Sequence, residues 1–266
     1  YAFFWKNINF DPLFNGNNIS DNNEFDLYLK RLGYTFKNDN YEFSNYVCLK
    51  DKKINLIMDL GSSPNKKFSD KYQAGALSFE FISNGKKIFT NSGYYNENNL
   101  TLNKLSKSSA VHNVLIIDDN SSCKFKKKNN HFLEIKEGLK VTNKSIKYEK
   151  DFWKIIAMHD GYLKKYNSFY EREIEFQPKN SRLIGIEKIF GKKIIPNLKF
   201  DIRFHLDPAA KTMKTQDNSS IFIELGKEGW KFTCDNHEIG IDNGLFFGKK
   251  NTYVENQNIF ISGITN

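Results

Sequence analysis

Three stretches hold the side chains from which a chemical site could be assembled: Lys71-Tyr72-Gln73, Asn91-Ser92-Gly93-Tyr94-Tyr95 and Lys107-Ser108-Ser109-Ala110-Val111-His112-Asn113. They offer one imidazole, three amides, three phenols and two amines. By residue type alone His112 is more often a satisfied, partly buried histidine than a ligand or proton carrier, and both readings stay open. The other histidines carry less. His205 lies in the alternating run Arg203-Phe204-His205-Leu206 and reads as structural, while His159-Asp160-Gly161-Tyr162 reads as a tight turn with Asp160 bonding local backbone. His131 and His237 sit in polar loops. No nucleophile elbow, phosphate-binding loop, His-Glu-x-x-His pair or EF-hand is present, so serine hydrolysis, nucleotide hydrolysis and zinc proteolysis have no motif behind them. Cys48, Cys123 and Cys234 are odd in number and far apart, which fits neither a disulfide framework nor a zinc knuckle.

The elements that must position these residues read as strands. Residues 72 to 95 form a hairpin turned at Ser83-Asn84-Gly85-Lys86, with polar groups at its outer ends. Together with residues 106 to 114 it could carry Gln73, Asn91 and His112 to one end of a sheet. Short runs bounded by Asn, Asp, Gly or Ser follow one another, among them Ile54 to Asp59, Leu77 to Ser83, His112 to Asp118, Trp153 to His159, Ser181 to Phe190, Ser220 to Leu225 and Ile259 to Ile264. Lys136-Glu137-Gly138-Leu139 also has hairpin-turn residues. With 24 Phe and 13 Tyr, the core must be aromatic and β-branched, a composition that favours strands. Connections are too short for βαβ crossovers, and no internal repeat marks a propeller or solenoid. The expected fold is all-β, a large antiparallel multi-sheet β-sandwich. A short, partly helical N-terminal segment precedes it, in which Asp26 to Leu32 has helical spacing and stops at Gly33.

Lys and Arg number 40 against 31 acidic residues, a net charge of +9 that favours polyanionic partners. The clusters Lys52-Lys53, Lys66-Lys67, Lys126-Lys127-Lys128 and Lys192-Lys193 read as solvated hairpin ends. Lys124-Phe125-Lys126 interleaves an aromatic with cations, yet no recognised RNA-binding or zinc-finger pattern organises it, so nucleic acid is not the expected partner. No apolar run approaches the ~20 residues that span a bilayer. Tyr1-Ala2-Phe3-Phe4-Trp5 lacks signal-peptide flanks and an initiator Met, from which we expect that upstream sequence has been lost.

Taken in order, the stretches resemble the C-terminal half of the heparinase II/III family of polysaccharide lyases. That half carries H-A-H-A-D-x-L-S-F-E, then D-x-G-x-Y, then R-S-T-x-x-H-N before an apolar strand. The versions here are Lys71 to Glu80 (Lys-Tyr-Gln-Ala-Gly-Ala-Leu-Ser-Phe-Glu), Asn91 to Tyr95, and Lys107 to Asn113. Leu13-Phe14-Asn15-Gly16, Met58-Asp59-Leu60-Gly61, His159-Asp160-Gly161-Tyr162 and Arg203-Phe204-His205-Leu206 extend the likeness over nearly the whole chain.

The resemblance implies a metal site, usually zinc, at the second His of the first motif, the Asp of the second and the His of the third. Those positions hold Gln73, Asn91 and His112. Neutral amide oxygens are weak zinc donors. The expectation is therefore no cofactor, zinc held weakly at most, and a hydrogen-bonded cluster of Gln73, Asn91 and His112 in its place. The first family His, near the substrate, corresponds to Lys71, a cation that can pair with a uronate carboxylate. Tyr95 matches a cleft-facing Tyr and is the catalytic candidate, with Lys71, Gln73 and Tyr95 as substrate-binding candidates.

The resemblance further implies that residues 1 to 33 are the remnant or linker of an N-terminal α/α toroid and that residues 34 to 266 are the C-terminal β-sandwich. The implied activity is β-elimination on uronic-acid-containing polysaccharide, the partners acidic polysaccharide and the helical domain of the same longer protein. The implied location is the periplasm or cell envelope. Because the toroid supplies the main Tyr and His, this segment alone should not turn over. A non-catalytic carbohydrate-binding or structural β-module is the alternative.

Overall fold

In the computed structural model the described residues are 11–19, 23–33, 41–97, 99–128, 133–249 and 252–265. The N-terminal pentapeptide, the boundary at residues 33 and 34, and His131 lie partly or wholly outside them.

The expected helix is present as α1 (Asn23–Arg31), followed by Gly33 at φ +74°. The first five strands, β1 (Glu42–Phe43), β2 (Tyr46–Lys50), β3 (Ile54–Asp59), β4 (Phe79–Ser83) and β5 (Lys86–Phe89), pair in chain order as an antiparallel sheet. Asn84 and Gly85 join β4 to β5 at φ +45° and +74°. Two consecutive positive φ values match the right-handed twist of the strands, which is why Asn-Gly works there. After α2 (Leu100–Ser106), capped by the Asn99 side chain, come β6 (Leu115–Ile117) and the paired strands β7 (Lys124–Lys127) and β8 (Leu133–Glu137). Strands β9 (Val141–Glu149), β10 (Phe152–His159), β11 (Phe169–Gln177) and β12 (Arg182–Phe190) form a second meander, with the one-turn α3 (Leu163–Tyr166) between β10 and β11. β13 (Lys199–His205) then crosses back to pair with β6. β14 (Lys211–Lys214), β15 (Ser220–Leu225) and β16 (Glu228–Thr233) make a three-stranded sheet, and β17 (Ile239–Phe246) and β18 (Val254–Ile264) complete the order β17-β18-β13-β6.

The first sheet is the centre of the stack. On one face Phe81 meets Phe176 of β11 at 5.6 Å and Trp230 of β16 at 5.0 Å, and Phe89 meets Phe204 of β13 at 5.7 Å. On the other, Cys48, Ile57 and Ile82 pack against Phe14. A strand buried on both faces loses the polar-out alternation, and β4 is buried at every position.

Four local expectations need correction. Leu77 is not in a strand: it sits at φ +65° in the turn leading to β4. Gly138 does not turn a hairpin, because β8 and β9 belong to different sheets, and its Cα packs against Ser63, where a Cβ would come within 2.7 Å of the Ser63 Cβ. Asp160 bonds across the sheet, its Oδ1 accepting from the Lys140 N–H at 2.7 Å. The lysine-rich β7 and β14, and the helix α2, had no counterpart in the expected elements.

Leu77 is held in its left-handed conformation by a buried cation. Arg172 on β11, wholly shielded from solvent, donates from Nη1 to the carbonyls of Leu77, at 2.9 Å, and Asn113. Its Nε bonds Glu187, directly opposite on β12, at 2.9 and 3.1 Å, and Nη2 lies 2.8 Å from the same carboxylate. The guanidinium thus ties the second meander to the two segments that carry the candidate residues. Arg172→Met should lower unfolding stability by about 3–5 kcal/mol, because the Leu77 and Asn113 carbonyls lose their donor in the core and Glu187 keeps only the Tyr170 hydroxyl. Urea unfolding measures it, and an unchanged midpoint would remove Arg172 from this role.

Candidate functional site

The three motif stretches meet at one end of the central sheet, where β4 begins and β5 ends. Ala74 N–H donates to the Lys107 carbonyl at 2.8 Å, and Ser109 Oγ to the Ala74 carbonyl at 2.7 Å. Ser92 N–H donates to the Val111 carbonyl at 3.1 Å, and Phe247 N–H to the Ser92 carbonyl at 2.5 Å. Residues 71–77, 91–95, 106–113 and 246–249 therefore form one rim, with residues 13–19 alongside.

Gln73, Asn91 and His112 are inside this rim, each no more than 1% exposed. Gln73 Oε1 accepts from the Gly16 N–H at 2.9 Å, and its Nε2 donates to the carbonyls of Gly93, at 2.9 Å, and Ser106. Asn91 Oδ1 accepts from the Asn113 N–H at 3.1 Å. His112 Nδ1 donates to the Ser108 carbonyl at 2.8 Å, which leaves Nε2 as the unprotonated nitrogen. Its ring lies flat on Gly75, where a Cβ would fall 2.3 Å from His112 Cδ2. Among the described residues no hydrogen bond joins the three side chains to one another: each bonds main chain instead, because the segments approach through their backbones. Gln73 is thus a brace beneath the rim. Burial pushes the His112 imidazole down to about 4, so it brings no positive charge to the rim at neutral pH.

Lys71 and Tyr95 do reach solvent. The Lys71 stem packs on Gly16, where φ is +86° and a Cβ would come within 2.5 Å of the Lys71 Cβ. Tyr95 is half-buried, its ring 5.7 Å from that of Phe247, and its carbonyl accepts from Asn103 Nδ2 at 2.7 Å.

Several residues that hold the rim were not singled out by the sequence. Asn113, fully buried, donates from Nδ2 to the Phe79 carbonyl at 2.8 Å and accepts at Oδ1 from the His205 N–H at 2.5 Å. Glu80, also fully buried, accepts from Asn91 N–H at 3.1 Å and Thr90 Oγ1 at 3.0 Å and pairs with Lys87 at 2.8 Å. Lys107 is buried beneath the loop bearing Lys71. Its Nζ donates to the carbonyls of Asp70 at 2.6 Å and Tyr72 at 2.9 Å, and lies 5.3 and 5.1 Å from the ring centres of Tyr94 and Phe125. Burial, partly offset by Asp70, pulls this amine down to about 7. The motifs contain Asn113, Glu80 and Lys107, and their position there was the available signal.

The rim does not fit a structural zinc. His112 Nε2 is buried without a partner, as is Asn91 Nδ2, but the latter is a donor and cannot ligate. Both ends of the Gln73 amide and the Asn91 oxygen are already bonded, and neutral amides are poor zinc ligands. No group of three or more His, Cys, Asp or Glu able to hold a metal occurs among the described residues.

What fold and site define is a β module: a multi-sheet antiparallel sandwich that presents one cation and one phenol above a layer of backbone-bonded polar side chains. The family model for heparinase II/III-like C-terminal domains matches residues 38–265, and the chain belongs to that family. Comparison with curated proteins gives no match. Among solved structures, one titled as a heparinase III gene product superposes with a TM-score of 0.76 at 14% identity, covering 100% of this chain and 43% of its own. The heparan sulfate lyase HepC from Pedobacter heparinus superposes with a TM-score of 0.73 at 11% identity, covering 96% and 41%. A further heparinase III structure gives 0.69 at 15% identity, covering 96% and 42%. The chain thus spans about two fifths of the length of these structures. Among its described residues no helix is long and apolar enough to cross a membrane.

Asp59, in the family-like Met58-Asp59-Leu60-Gly61, ties the N-terminal segment to the rim. It accepts from Gly61 N–H at 2.8 Å and Asn15 Nδ2 at 2.9 Å, and Asn15 Oδ1 accepts from Gln73 N–H at 3.2 Å. Burial pushes its carboxyl from 3.8 up to about 7 despite those donors. The folded state therefore favours the protonated acid, whose contribution is intact below the ordinary carboxylate pKa and is lost as pH rises through about 7. Asp59→Asn should flatten the fall in stability between about pH 4 and pH 8. Thermal unfolding across that range checks it, and an unaltered slope would show that Asp59 ionises freely.

Proposed function

We propose that this chain is the β-sheet half of a polysaccharide lyase that cleaves uronic-acid-containing polysaccharide by β-elimination. The observation that carries the reading is the rim itself: an exposed cation, Lys71, and a half-buried phenol, Tyr95, both lie on the segments where the family motifs converge. Elimination needs a positive or hydrogen-bonding group to neutralise the carboxylate, a base for the C5 proton and an acid for the departing glycosidic oxygen. Lys71 supplies the first. In this reading Tyr95 bonds sugar or moves a proton, and Gln73, Asn91 and His112 fix the rim backbone. The main base and acid belong, by family resemblance, to a helical domain of the same longer protein, and the greater length of the solved neighbours supports that partnership. Those neighbours are a heparinase III and a heparan sulfate lyase, which makes a sulfated or uronate-rich glycan the first substrate to try. The family resemblance also supports the periplasm or cell envelope as the location.

The full-length protein should release unsaturated uronide, read by its ultraviolet absorbance, whereas this segment alone should release none. Lys71→Ala in the full-length protein should lower kcat/KM by about tenfold, the order of one charged hydrogen bond, with Lys71→Arg restoring much of it. Robust product from the segment alone would place the base within it and refute the division of labour. Glycan binding by the full-length protein without unsaturated ends would favour the non-catalytic module instead, a reading supported by the two amides at family metal positions.

We further propose that the rim holds no tight zinc. Purified protein should carry well under one zinc per chain by elemental analysis, and Gln73→His with Asn91→Asp should raise the bound fraction by restoring an imidazole and a carboxylate. Stoichiometric, chelator-resistant zinc in the parent protein would overturn this.

A further inference from the structure

Two lysine clusters that are far apart in sequence share one surface. Lys66, in the 3-10 turn Lys66–Phe68, and Lys126, on β7, lie 3.0 and 3.5 Å from the same Glu134 oxygen on β8. Lys124 and Lys164 share Glu137 at 3.0 and 3.2 Å, and Lys128 pairs with Asp70 at 3.0 Å. Lys67 and Lys127 are exposed and have no ion pair among the described residues. Each glutamate is thus clamped by two lysines, and the surface keeps a surplus of positive charge.

Phe68, in the same turn as Lys66 and Lys67, is 78% exposed, the highest of any large apolar side chain among the described residues. The turn presenting it is fixed: Asn65 Oδ1 accepts from Lys67 N–H at 3.2 Å, and Ser69 Oγ accepts from Ile135 N–H of β8 at 3.0 Å. An exposed aromatic ring on the turn that carries Lys66 and Lys67 suits a ligand that combines apolar C–H faces with repeated anionic groups, as a uronate or sulfated sugar chain does. The surface is continuous with the rim, since Asp70, which holds Lys128, immediately precedes Lys71 and is anchored through its carbonyl by Lys107.

We propose that the 3-10 turn Lys66–Phe68 and the β7–β8 pair form a second, non-catalytic binding surface for acidic polysaccharide, gripping the chain where it runs on from the rim. The identity of the ligand rests on the reading of the rim given above. The surface binds length, not the scissile sugar: a long chain reaches it and a short oligosaccharide seated at Lys71 does not.

The test uses the full-length protein with Lys67→Gln, Lys126→Gln and Lys127→Gln combined, and separately Phe68→Ala, after their unfolding midpoints are checked against the parent. Binding of long-chain heparan sulfate and of alginate is measured against salt, with duplex DNA as a comparison polyanion, and turnover is measured on a heparan tetrasaccharide. The triple variant should bind the preferred long chain roughly tenfold more weakly, with a log–log salt slope shallower by about two. Phe68→Ala should weaken binding without altering the slope, and tetrasaccharide turnover should be unchanged in both. Long-chain binding with parental affinity and slope in the triple variant would overturn the proposal, as would DNA binding as tight as that of either glycan, or no glycan binding by the parent. Lysine-dependent glycan binding by a parent that yields no unsaturated product would retain this surface and reject only the lyase reading.

Discussion

Asn113 uses every hydrogen-bonding group it has on a different part of the chain. Its N–H goes to Asn91 after β5, its Nδ2 to Phe79 at the start of β4, its Oδ1 to the end of β13, and its carbonyl to the Arg172 guanidinium of β11. A residue so committed, at full burial, leaves the surrounding backbone little freedom. Any displacement strands groups whose unsatisfied burial costs about 1–3 kcal/mol each. The convergence of the motif stretches, the left-handed Leu77 and the placement of Lys71 all follow from this four-way junction.

Charge is partitioned to serve that junction. Arg172, Lys107 and Lys87 are buried, and each is surrounded by carbonyls or a carboxylate, so they act as fixed multi-donor ties inside the rim. The lysines left on the β7–β8 surface share too few carboxylates to be neutralised. The same amine is therefore an interior brace in one place and a solvent-facing positive charge in the other. The difference is set by whether backbone carbonyls converge on it.

Much of the sheet structure was legible because its signals are local. Ile54–Asp59 and Ser220–Leu225 form strands over the residues expected, and Asn84-Gly85 makes the expected turn. The lysine-rich β7 and β14 were hidden because alternating lysines around one apolar residue resemble a solvated loop. Leu77 was read as strand because its apolar character outweighed a backbone state that Asp59 and Arg172 impose from a distance. For the site, the motifs located the rim, but burial was beyond them. An amide such as Gln73 reads as a ligand-facing group until three main-chain partners are seen to occupy it. Lys66 and Lys126 read as unrelated hairpin ends until Glu134 joins them.

The pairing of β6 with β13, and of β13 with β18, has a consequence for synthesis. Residues 115–117 pair as a strand with residues 200–202, and those in turn with 261–263. Contacts so distant along the chain form late. Until residues 205 and 247 have been made, Asn113 has no His205 amide to accept from and Ser92 has no Phe247 amide to receive. The polar groups of the rim therefore stay hydrated until these later segments arrive, and the rim closes only after the sheets beneath it have begun to pair.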